Sequence, residues 1–156
     1  DLRYKTSMDT LYVVDDDTSY ARHIKKYQSN PFANFDADNN FIVFRYADVL
    51  LMAAEALGEG SQAYTYINQI RTRAGLEDIS SATDGSFEDH LMHERRIELA
   101  FENHRWYDLI RFGKAVSTMN AQFSKQGFSI TINDDDLVFP IPKREIDLGL
   151  TQNSGY

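Results

Sequence analysis

The chain has 156 residues, enough for one domain with a real core, and its 42 % hydrophobic content is ordinary for a globular protein. A formal net charge of −8 and a sequence pI near 4.9 argue against nucleic acid or an anionic membrane surface as an electrostatic partner. There is no cysteine, so neither a disulfide framework nor a thiolate site exists, and no apolar run approaches the length of a membrane span.

From Asp1 to about Asn40 no helical period is sustained. The apolar group Leu11, Tyr12, Val13, Val14 stops at Asp15, Asp16 and Asp17, which predicts one short strand at most. Ser29 to Asn40, with Pro31 and clustered Asn and Asp, reads as turn and loop. The first strong helix is expected over Tyr46 to Leu57. It is apolar nearly all round and is therefore expected to be largely buried. After Gly58, Glu59 and Gly60, a second helix from about Ser61 to Ala74 carries Ala63, Ile67, Ile70 and Ala74 on one stripe and stops at Gly75. Two helices joined by a tight glycine-containing turn make a hairpin resembling a tetratricopeptide unit without its full signature.

Glu77 to Gly85 is a polar loop. Ser86 and Asp89 form a capping pattern that opens a third helix expected to reach about Glu102. Asn103 is a left-handed break, and Trp106 to Phe112 forms a shorter helix ending at Gly113. A helical stretch near Val116 to Phe123 precedes a weakly alternating Ser129 to Ile132, read as a strand. Leu137 to Pro142 should be extended, because Pro140 and Pro142 restrict the residues before them. Pro142 opens a short helical turn through Ile146, and Thr151 to Tyr156 is turn-like. The fold expected is mainly α, with hairpins of tetratricopeptide-like superhelical type, irregular loops and one or two short strands. A single domain over 1–156 is expected: a loop-rich lead-in over 1–40, the hairpin over 45–75, helices over 86–113 and an extended segment and tail over 129–156.

The run Glu94 to Arg111, ERRIELAFENHRWYDLIR, is chemically the richest. Glu94, Glu98 and Glu102 recur every four residues, so on a helix they share a face and repel one another. Cations must neutralise them: Arg95, Arg96, Arg105 and Arg111 within the run, or Arg45, Arg71 and Arg73 from other helices. Glu94 also falls on the apolar stripe Leu91, Ile97, Phe101, which carries a charge into a packed interface. Paired carboxylates invite a glycosidase reading, but a catalytic pair faces across a cleft with pKa values pushed apart. Carboxylates interleaved with arginines on one helix fit structural ion pairs better. His90 and His93 match neither zinc-protease spacing, and no third ligand is suggestively placed, so hydrogen-bonded histidines are expected and no metal. The ten Phe, nine Tyr and one Trp are mostly packing residues, with stacking on a sugar ring the alternative for an exposed tyrosine.

These strings resemble the C-terminal part of the RagB/SusD family of nutrient-binding lipoproteins. Arg45 to Leu57, RYADVLLMAAEAL, resembles the family's Arg-Tyr-Ala-Asp helix, and Ile67 to Leu76, INQIRTRAGL, its second helix with the Arg-x-Arg-Ala-Gly ending. Glu94 to Arg111 resembles its Glu-Arg-Arg block and the His-Arg-Trp-x-Asp-Leu that follows. Leu137 to Ile146 and Thr151 to Tyr156 are similar to its Pro-Ile-Pro segment and closing Asn-Pro-Gly-Tyr. The likeness runs from Arg45 to Tyr156 in register, with weaker support at Asp1 and at Lys26 and Tyr27. Asn103 stands where the family pattern has Gly, and Ser154 where it has Pro.

The resemblance implies capture of oligosaccharides or other nutrients at the outer-membrane surface of the cell, without catalysis or cofactor, and delivery to a SusC-like TonB-dependent transporter. Family members are longer, with a lipid-anchored N-terminus and a helical-repeat region. This chain, which begins at Asp1 with neither signal peptide nor initiator methionine, reads as an excised C-terminal portion whose apolar first helix faces the missing part. No ligand-binding residue is carried over. Arg45, Asp48, Glu94, Arg95, Glu98 and Arg105 are ion-pair candidates, and Tyr46 and Trp106 packing anchors. A free-standing helical-hairpin adaptor and a carboxylate hydrolase are the alternatives.

Overall fold

The computed structural model describes residues 1–14, 18–27 and 38–156. The chain forms two compact units, residues 1–105 and 106–156. The first begins with the short helix α1 (Arg3–Ser7) and an antiparallel hairpin of β1 (Met8–Val14) and β2 (Thr18–Ile24), paired from Met8 with Ile24 to Val14 with Thr18. The expectation of at most one strand in this lead-in is thus corrected. β2, Thr-Ser-Tyr-Ala-Arg-His-Ile, has little apolar signal of its own, and its backbone groups are satisfied by the ladder to β1. The expected stop at Asp15 to Asp17 and most of the loop expected over 29–40 lie outside the described residues.

Helices α2 (Tyr46–Leu57) and α3 (Ser61–Arg73) form the hairpin across Gly58, Glu59 and Gly60. Leu51, Ala54, Ala63 and Ile67 are sealed between them, and α4 (Phe87–Glu98) packs on both with Leu91. Leu51, Ile67 and Leu91 each contribute about 1.5–3 kcal/mol by this burial. Gly75, at φ 71°, closes α3: Leu76 N–H donates to the Arg71 carbonyl and Gly75 N–H to that of Thr72. A side chain at C′ would be strained in this left-handed position. Asn68 then staples the following loop by exchanging two hydrogen bonds with the backbone of Ile79, both 2.9 Å.

Two expectations for the helices need correction. α2 is not largely buried: Ala47, Leu50, Leu51 and Ala54 face the core, but Val49, Met52 and Leu57 are exposed and so is Tyr46, at 72 %. Only one stripe of α2 meets α3 and α4, so its remaining apolar side chains face solvent within this unit. α4 begins as expected, with a full capping box between Ser86 and Asp89, but ends at Glu98 and not near Glu102. Leu99 leaves helical geometry, and Phe101 and Asn103 turn left-handed at φ 69° and 64°. Phe101, expected on the buried stripe, is consequently exposed.

The second unit contains most of α5 (Arg105–Arg111), together with α6 (Ala115–Lys125) and α7 (Lys143–Asp147). The strand expected over 129–132 is absent. That stretch is coil, fastened by Asn120, which accepts from Ile132 N–H at 2.8 Å and donates to its carbonyl at 2.9 Å. A 3₁₀ turn, Asp134–Leu137, boxed by Asn133 and Asp136, delays the extended segment to Val138. Pro140 and Pro142 offer no N–H for a sheet ladder. Side chains of the terminal residues supply the partners instead. Gln152 accepts from Ile141 N–H at 2.7 Å and donates to its carbonyl at 3.0 Å. Asn153 donates to the Phe139 carbonyl at 2.7 Å, and the Tyr156 hydroxyl to that of Val138 at 2.9 Å. Gly155, at φ 87°, lets the tail pass Asp135: a Cβ there would lie 2.5 Å from the Asp135 Cβ.

Candidate functional site

The carboxylate row singled out in the sequence lies at the centre of the first unit. Glu94 and Glu98 lie one turn apart on α4, and the turn after Leu99 brings the Glu102 carboxylate back beside them. All three are buried, Glu94 to 1 % exposure. Burying three like charges together is possible only with cations in direct contact.

Those cations come from four places. Arg45, in extended geometry at the N-cap of α2, donates from Nε to both Glu102 oxygens, 3.0 and 2.8 Å, from Nη1 to Glu98 and from Nη2 to the Glu98 carbonyl. From α3, Arg73 reaches Glu98, and Arg71 reaches Glu94 at 3.2 Å. Arg3 of α1 bridges Glu94 and Glu98 at 2.5 and 3.1 Å, while its Nε and Nη2 hold Asp1. Lys26, just beyond β2, pairs with Glu102 and donates to the carbonyls of Glu98 at 2.7 Å and Ala100 at 3.1 Å. Next to this network, Arg95 donates to Asp48 at 3.1 Å in a pair buried on both sides.

The pairing decides protonation. Burial by itself would push Glu98 up, but hydrogen bonds from Arg45, Arg73 and Arg3 and the Arg45 charge outweigh it and hold the carboxyl at about 2. Glu102 is likewise lowered, its burial outweighed by Arg45 and Lys26. Burial lowers Lys26, and Glu102 opposes this in part. Two carboxylates pushed in the same direction do not divide the roles of acid and base, which require pKa values driven apart. The lysine's three protons and every Arg3 nitrogen already donate to protein acceptors. What this arrangement does is tie α1, the hairpin, α2 and α3 to the end of α4.

Of the residues named from sequence, Arg45, Glu94 and Glu98 meet in this cluster, and Asp48 and Arg95 meet beside it. Arg105 opens α5 and Trp106 follows it, half-buried. Tyr46, expected as a packing anchor, opens α2 and is exposed within this unit. Reading the sequence missed Arg3 and Lys26. For Lys26 a signal existed in the weaker family likeness at Lys26 and Tyr27, whereas Arg3 sits in a five-residue helix without periodicity. His90 lies edge-on to Tyr64, its Nε2 3.5 Å from the Thr83 carbonyl, and among the described residues no three His, Asp or Glu side chains are grouped to hold a metal ion.

An α-hairpin of tetratricopeptide type, knotted by a buried ion network and followed by a proline-rich segment clasped by the chain's own tail, defines a helical scaffold class. The sequence matches the SusD family over residues 10–156, and the chain belongs to that family. It is 37 % identical over 158 aligned positions to SusD-like protein P2 of Formosa agariphila, covering 86 % of this chain and 30 % of that protein. Among solved structures, a laminarin binding SusD-like protein superposes with TM-score 0.73 at 29 % identity, over 100 % of this chain and 35 % of its own. Surface glycan-binding protein A from Bacteroides uniformis superposes with TM-score 0.71 at 27 % identity, over 92 % of this chain and 36 % of its own. The chain therefore spans about a third of each of these relatives.

Proposed function

We propose that this chain is the C-terminal portion of a surface glycan-capturing protein that binds oligosaccharides without cleaving them and passes them to a SusC-like TonB-dependent transporter in the outer membrane. Membership of the SusD family carries this reading, with solved neighbours described as binding laminarin and surface glycans. The ion network supports a scaffolding role for Arg45, Asp48, Glu94, Arg95 and Glu98, since each of these buried carboxylates is paired with a cation from another element. The exposed apolar side of α2, continuous in sequence with exposed Phe41, Val43 and Phe44, supports docking against the rest of a longer, lipid-anchored chain.

The test is calorimetry of the full-length gene product against a panel of bacterial, algal and plant oligosaccharides, with product analysis on the same mixtures. Binding without chain shortening is expected. Turnover that disappears in Glu94→Gln or Glu98→Gln while the fold survives would overturn the binding-only reading. Co-purification with a SusC-like transporter tests delivery, and absence of the complex at every salt concentration tried would count against it.

A further inference from the structure

The loop between α3 and α4 is tied at both ends and untied in the middle. On the α3 side Asn68 holds Ile79, Thr83 N–H donates to the Ser80 carbonyl at 2.9 Å, and Ser80 N–H donates to the Thr83 hydroxyl at 3.0 Å. On the α4 side Ser86 and Asp89 close the capping box, with Asp89 N–H donating to the Ser86 hydroxyl at 3.1 Å. Asp84 and Gly85, between these ties, are exposed. Among the described residues no hydrogen bond or ion pair holds the Asp84 carboxylate or the Gly85 N–H.

This is the chain's single Asp-Gly pair, and the sequence has no Asn-Gly. The peptide nitrogen that follows an aspartate can attack the side-chain Cγ and close a five-membered succinimide. The C–N bond forms, the carboxyl C–O bond breaks, and the hydroxyl leaves with the nitrogen's proton as water. Water then opens the ring at either carbonyl. One opening restores aspartate; the other leaves isoaspartate, whose main chain runs through the former side chain and is one methylene longer. A Cβ on the following residue crowds this attack. Gly85 has none, and its φ of 109° is a conformation that side chains rarely adopt. Two nearby aspartates lack both conditions: Asp78 accepts from the Thr72 hydroxyl at 3.2 Å and precedes Ile79, and Asp89 is engaged in the capping box and precedes His90.

We infer that Asp84–Gly85 is a site of spontaneous backbone modification, converting through a succinimide to isoaspartate, and that the conversion loosens the cap of α4. Thr83 and Ser86 are both tied, so an extra main-chain atom between them is taken up by breaking a tie. The capping box contains the longest of these bonds, Ser86 N–H to the Asp89 carboxylate at 3.4 Å. The Ser86 carbonyl also accepts from His90 N–H at 3.0 Å, so displacing Ser86 releases the first turn of the helix.

The test is to age the full-length gene product for weeks at neutral pH and physiological temperature, digest it with trypsin and fragment the peptide Ala74–Arg95 by electron transfer. Isoaspartate is expected at Asp84 and not at Asp78 or Asp89, with a minor species lighter by one water molecule. Its rate should lie within about threefold of that in the free synthetic peptide, because an exposed, untied loop opposes ring closure little. Asp84→Glu keeps the charge but requires a six-membered ring and should abolish the conversion. Asp84→Asn, which expels ammonia in place of water, should speed it several-fold. Hydrogen exchange of the aged protein should be faster at Asp89 and His90. No isoaspartate at Asp84 once the free peptide has converted, or equal amounts at Asp78 and Asp89, overturns the site. Isoaspartate at Asp84 with unchanged exchange at Asp89 and His90 overturns its coupling to the cap.

Discussion

The two units are held together by opposite chemistry. In residues 1–105, charges separated by 23 to 95 positions in sequence are paired around buried carboxylates, as in Arg71 with Glu94 and Arg3 with Glu98. In residues 106–156, neutral amides and a phenol reach backbone groups 11 to 18 positions away, as in Gln152 with Ile141 and Tyr156 with Val138. Ion pairs join elements from distant parts of the sequence at the cost of desolvating every partner, and each partner becomes indispensable once the others are buried. Amide clasps stay short-range and insensitive to protonation. The ion network of the first unit should accordingly answer to pH and to loss of single charges, and the amide clasp of the second to neither.

The strongest break in that contrast is Glu98→Ala. It leaves Arg45, Arg73 and Arg3 facing one another without their shared anion and should destabilise the first unit by about 3–5 kcal/mol in urea denaturation. Acid should approach the same end point. The folded carboxyl of Glu98 is depressed to about 2 from an ordinary value near 4.5, so its contribution, ~3 kcal/mol, is present above pH 4.5 and disappears as pH falls through 2. Hydrogen exchange followed from pH 5 to pH 2 should show protection falling first in α2–α4, and the penalty of Glu98→Gln should shrink over the same interval. Gly155→Ala should cost about 2 kcal/mol, from positive φ and the collision with Asp135, read as loss of protection over 138–156. Smallest is Gln152→Ala, about 1 kcal/mol, with the same value at pH 7 and pH 3. A pH-dependent Gln152 effect, or a pH-independent Glu98 effect, would dissolve the distinction between the units.

The helical hairpin was legible because its signals are local. The bounds of α2, the stripe Ala63, Ile67, Ile70 and Ala74, the Ser86 box and the left-handed Asn103 each depend on a few adjacent residues. The need for cations opposite Glu94 and Glu98 was also readable, since two like charges on one face of a helix cannot be buried unaided, and Arg45, Arg71 and Arg73 were among the candidates. Arg3 and Lys26 were not, because nothing in a short polar segment says which helix end it will meet. β2 was missed for the same reason: its residues have weak strand preference until β1 offers a ladder. The end of α4 was misjudged because helical periodicity continues through Phe101 and Glu102, while Lys26 and Arg45 bind the carbonyl of Glu98 and stabilise a turn there.

The chain by itself determined its helices, their caps, the strings that place it in a family and the presence of a buried charge problem, all of which follow from interactions within a few residues. Tertiary structure alone decided which cations solve that problem, which apolar side of α2 is left outside, and that the tail clasps the proline segment. Those outcomes depend on contacts between positions far apart in sequence, where short-range propensity carries no information and only packing selects the partner.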